Sequence, residues 1–107
     1  MVNSKEIHCE NGKTVYNIPF SKVKEIKILN SLPDKMIRTN GYGGQYLCKG
    51  SFSTTGMSNL KLMLDPTNSP YILIKTKSNQ YYLIGSRNSR YTKNVYTKIN
   101  NRINAIK

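Results

Sequence analysis

Apolar and polar positions alternate along most of this chain, and the rhythm changes only towards its C-terminus. Two short runs rich in aromatic and β-branched residues, 71–76 (YILIKT) and 80–84 (QYYLI), are separated by Lys77, Ser78 and Asn79, which predicts a β-hairpin. After Gly85 and a cluster of Ser and Asn, Val95, Ile99, Ile103 and Ile106 recur at spacings of four, four and three. At about 100° per residue they form one stripe of a helix over roughly 89–105, with Tyr91 and Tyr96 on its flanks. The other helix faces are polar, so the stripe must lie on the β-rich body before it.

That body begins with runs at 6–9 and 14–18 flanking Glu10, Asn11, Gly12 and Lys13, and an Asn-Gly step between apolar runs is a strong hairpin signal. Residues 19–22 interrupt the ladder. Residues 24–29 then read as a third strand with Ile26 and Ile28 facing inward, and Leu32, Pro33 and Asp34 as a turn. Residues 45–52 read as a strand and 53–57 as a turn. Leu60, Leu62 and Leu64 alternate with Lys61 and Met63, which predicts a half-buried strand with one wet face. The pattern totals about seven short strands and one helix, hence a mainly β (α+β) fold: an antiparallel barrel or sandwich capped by the C-terminal helix, in one domain spanning 1–107.

The glycine-rich stretch 40–44 (NGYGG) invites a phosphate-loop reading. Neither the G-x-x-x-x-G-K-[ST] nor the G-x-G-x-x-G spacing occurs, and a strand follows where a helix would be needed. The glycines are expected to supply positive φ at a tight turn. Tyr42 within it is a candidate exposed anchor for a partner.

Charge changes the picture more than composition does. Seventeen Lys and Arg against five Asp and Glu leave +12 over 107 residues, which favours an anionic partner. The basic residues worth naming fall into two groups: Lys22, Lys24 and Lys27 near the third strand, and Arg87, Arg90, Lys93, Lys98 and Arg102 around the helix. They form a solvated face, or a patch for anionic lipid or for nucleic-acid phosphates. Eight Tyr residues could stack bases, but most lie in the hairpin and helix, where packing is the expected use.

Catalysis finds no support. One His and five scattered acids offer no acid/base couple, and His8, Cys9 and Cys48 lack metal-ligand spacing, so no catalytic, cofactor or metal site is assigned. Cys9 and Cys48 are expected to be free thiols packed in the core. The apolar runs are far shorter than the ~20 residues of a membrane span and no signal core opens the chain. A soluble domain, in the cytoplasm or at a membrane surface, is expected.

The order of signals resembles the bacterial PH-like (pleckstrin-homology-like) domains of the Firmicutes. The matching stretches are 18–26 (IPFSKVKEI), 32–33 (LP), 38–41 (RTNG), 50–52 (GSF), 70–74 (PYILI) and 92–96 (TKNVY). The resemblance implies a seven-stranded, strongly bent barrel plugged by the helix, in the soluble part of a membrane-associated Gram-positive protein. Phosphoinositide-binding PH domains carry several basic residues around the first hairpin turn. Here Glu10 and Lys13 supply one charge of each sign, so no such site is assigned. The favoured partner is another protein, with nonspecific contact to anionic lipid beside it. A basic nucleic-acid-binding domain is the alternative, and oligomeric state stays open.

Overall fold

Gly12 takes φ +59°, as the first central residue of a two-residue II′ hairpin turn requires, and joins β1 (Glu6–Asn11) to β2 (Thr14–Pro19) in a two-stranded antiparallel sheet. The structure, a computed structural model, describes residues 5–33, 36–54 and 57–106. A single 3-10 turn, Phe20–Lys22, leads into β3 (Val23–Leu29). Then follow β4 (Ile37–Gly43), β5 (Cys48–Thr54), β6 (Met57–Leu64), β7 (Tyr71–Thr76), β8 (Tyr81–Ile84) and α1 (Ser89–Ile106). Strands β3 to β8 form one six-stranded sheet in the order β3-β7-β8-β6-β5-β4. The mainly β fold with a C-terminal helix is as expected. Among the described residues there are eight strands where about seven were expected, in two sheets that do not close.

Two differences have a topological cause. The β7–β8 hairpin forms around Asn79, at φ +64°, and its second strand inserts beside β6, so β6 and β8 run parallel in an otherwise antiparallel sheet. The glycine-rich stretch is the end of strand β4, not a tight turn. Gly41 and Gly50 face each other across β4 and β5 at φ +113° and +106°, and a Cβ on Gly41 would stand 2.3 Å from the Lys49 carbonyl oxygen. Positive φ is used there, but for close approach of two strands. The turn itself falls after it, where the Gly44 N–H donates to the Leu47 carbonyl at 2.8 Å, and β5 begins only at Cys48.

Both faces of the large sheet are covered, which corrects the single wet face expected of β6. On one face, Met63, Ile72, Ile74 and Ile84 pack with Ile7, Cys9 and Ile18 of the small sheet and with Val95, Ile99 and Ile103 of α1. On the other, Leu60, Leu62 and Leu64 join Cys48, Phe52, Tyr71 and Leu83, with Leu29, Leu32 and Met36 packed against them. Alternation assigns Met63 and the three leucines to opposite cores. Ile26 packs on the first core, but Ile28, also expected inward, is 38% exposed towards the end of edge strand β3. The helical stripe is buried at Val95, Ile99 and Ile103; the Ile106 side chain lies outside the described set, as do Asp34 and residues 55–56 of two expected turns.

Tyr16 ties the sheets together. Its hydroxyl accepts the Gly50 N–H at 3.1 Å and donates to the Leu62 carbonyl at 2.9 Å, bridging a residue pair of the β5–β6 ladder, while its ring meets Tyr82 edge-on at 5.5 Å.

Candidate functional site

Strand β4 is the outermost strand of the six, bonded to β5 on one side only, and every residue from Ile37 to Gly43 is exposed. Ile37 is 64% and Tyr42 54% exposed. Among the described residues the backbone donors and acceptors on its outer side have no strand partner, and with two large apolar side chains on the strand this is the arrangement that accepts an added strand. Lys49, opposite Tyr42 on β5, turns its ammonium to the Asn11 carbonyl at 3.2 Å and Oδ1 at 3.3 Å, so it anchors the first hairpin.

The basic residues named from sequence fall into three places. Arg90, Lys93, Lys98 and Arg102 are exposed on α1, a helix with no acidic residue. Lys22, Lys24 and Lys27 are exposed on the 3-10 turn and β3, and α1 packs on β3 and β7. Arg87 stands apart, in the loop before the helix. There its Nε lies 3.5 Å from Asp65 Oδ2 and its guanidinium 5.8 Å from the Tyr46 ring centre. That loop is fixed locally: Asn88 caps α1 by accepting the Tyr91 N–H at 3.1 Å, and the Thr92 hydroxyl accepts the Ser86 N–H at 3.1 Å.

The titratable groups serve structure. Asp65 accepts from the Thr67 hydroxyl and N–H and from the Asn68 amide, which together with Arg87 hold its carboxyl below the ordinary value. His8 is held above its ordinary value by Asn17 first and then Glu10 at 3.2 Å, on the exposed face of the small sheet. Cys9 and Cys48 are free thiols in different cores; burial pushes Cys9 up to about 11 and raises Cys48 too, so neither is an activated nucleophile. Among the described residues no cluster of three or more His, Cys, Asp or Glu could hold a metal ion, and no helix is long and apolar enough to cross a membrane.

Sequence reasoning missed the exposed run of β4 around Tyr42 and a cavity at the start of α1, whose lining comes from both ends of the chain. The family model described as Bacterial PH domain matches residues 1–99. The chain belongs to the bacterial PH domain family. No curated protein and no solved structure matches it. In this bacterial PH domain the basic residues named from sequence, Arg87 apart, sit on the helix, the 3-10 turn and β3, while the first hairpin turn carries Lys13 and has the Lys49 ammonium bonded to Asn11.

Proposed function

We propose that this bacterial PH domain is a non-catalytic docking module that binds another protein along β4, within a membrane-associated system of a Gram-positive bacterium. The observation that carries the reading is the fully exposed edge strand β4 with Ile37 and Tyr42 on it. An extended partner segment would take up the unpaired backbone groups of β4, and the two side chains would serve as buried anchors in the complex. The perturbed groups fit a scaffold: Asp65 is spent on a turn, and the thiols are buried and raised.

A second reading rests on the acid-free, basic outer face of α1. It supports nonspecific attraction to anionic lipid or nucleic acid, each exposed charge adding up to ~1 kcal/mol at a lipid surface. Affinity capture at moderate salt separates the two. Tyr42→Asp and Ile37→Asp are expected to lose the partner, whereas joint reversal of Arg90, Lys93 and Lys98 to Glu should leave it bound and abolish the steep salt-dependent binding to DNA and anionic vesicles. The opposite outcome would overturn the docking reading.

A further inference from the structure

The first core is not filled at the end where α1 begins. A cavity of about 500 Å³ opens between the end of β1, the β4–β5 turn, the ends of β6 and β8 and the first turns of the helix, within the range of about 300–1,000 Å³ that small-molecule sites occupy. Its floor is apolar: Met63, Ile72, Ile84 and Val95, with the Cys9 thiol beside them, all buried. The polar groups of its wall are already engaged. Thr92 shares hydrogen bonds with Ser86, Asp65 receives Thr67 and Asn68, and no buried side-chain nitrogen or oxygen among the described residues lacks a partner. A guest bringing donors or acceptors into this floor would give up hydration without return, while an aliphatic chain would not.

The mouth has a different chemistry. Arg87 lies there with its side chain 76% exposed, and Asp65, at 3.5 Å from Nε, is its ion-pair partner. The terminal nitrogens of the guanidinium fork therefore remain available, held in place over the Tyr46 ring. The second carboxylate at the mouth, Glu10, faces His8 at 3.2 Å. A planar fork beside an apolar chamber, in a chain of net charge +12, suits a carboxylate or phosphate head joined to an apolar tail.

We propose that this cavity binds a single aliphatic chain bearing an anionic head, the tail among Met63, Ile72, Ile84 and Val95 and the head on Arg87. The site is separate from the β4 edge, so each can fail without the other.

Decanoate, kept below its aggregation concentration, is the probe, followed by calorimetry and by backbone amide shifts of the full chain. Binding should shift the amides of Cys9, Met63, Ile84 and Val95. Arg87→Gln should weaken decanoate about tenfold, the loss of one charge-assisted contact, and leave 1-decanol unchanged. Leu47→Trp, at the cavity mouth, should block both ligands while circular dichroism stays that of the parent. Should Leu47→Trp misfold, the Arg87→Gln comparison between decanoate and decanol decides alone. Absence of binding, equal binding of decyltrimethylammonium, or shifts confined to the outer face of α1 would each overturn the proposal. Phosphatidylglycerol vesicles distinguish the source: vesicle binding lost in Leu47→Trp assigns the tail to a membrane lipid, and vesicle binding unaffected by it, with decanoate still taken up by the parent, assigns the site to free amphiphiles.

Discussion

Removing one oxygen from Tyr16 tests how the two sheets are joined. In Tyr16→Phe the ring keeps its place against Tyr82, but the Gly50 N–H loses an acceptor at 3.1 Å and the Leu62 carbonyl loses a donor at 2.9 Å. Both groups lie on facing residues of β5 and β6, in a part-buried position beneath the first hairpin. Leaving such groups unpaired costs about 1–3 kcal/mol, and because the ring is retained no cavity adds to this. For a domain of this size about 2 kcal/mol lowers the melting temperature by roughly 8–12 °C. Urea unfolding followed by circular dichroism should show a lower midpoint with an unchanged slope, the mark of lost stability without a change in the surface exposed. A melting temperature within about 2 °C of the parent would mean that the hydroxyl does not bridge the sheets.

The helix stripe is tested by Ile99→Asp: Ile99 is 0% exposed, so an unpaired carboxylate there should cost several kcal/mol and unfold or open the domain, and cooperative melting near the parent temperature would refute its place in the core. Cys9, raised to about 11, and Cys48 should resist alkylation at pH 8 and react fully only in denaturant, with no mass change on reduction; rapid labelling of the native protein would contradict their burial. Asp65 has a folded value below its ordinary 3.8, so its contribution to stability is present above that pH and is lost as the pH falls through the folded value. Asp65→Asn should therefore melt below the parent at pH 6, with the gap closing in acid, and a gap that does not depend on pH would show the carboxylate charge to be irrelevant.

Where a signal is local, the fold was legible in the chain. The spacing of Val95, Ile99 and Ile103 marked the helix, and the Asn11-Gly12 step and Asn79 marked two hairpins, because turn chemistry and helical period are properties of neighbouring residues. β4 was not legible, since the Gly41 and Gly50 pair makes sense only once the two strands are opposed. Nor was the parallel pairing of β8 with β6, a choice between distant strands that the hairpin pattern leaves open. Met63 looked solvent-facing beside Lys61 because nothing in β6 announces that the β1–β2 sheet and α1 lie over it. Tyr42 was singled out from its glycine-rich surroundings, but its neighbour in exposure, Ile37, was not. Arg87 was grouped with the helix cations, whereas Asp65 and Tyr46 hold it at the cavity mouth.

Amide hydrogen exchange of the domain with and without its captured protein partner tests docking at β4 most directly. The β4 amides that point away from β5 should become protected on binding, as an added strand requires, while the exposed face of α1 exchanges as in the free domain. Protection centred on Arg90, Lys93 and Lys98, with β4 unchanged, would contradict the account.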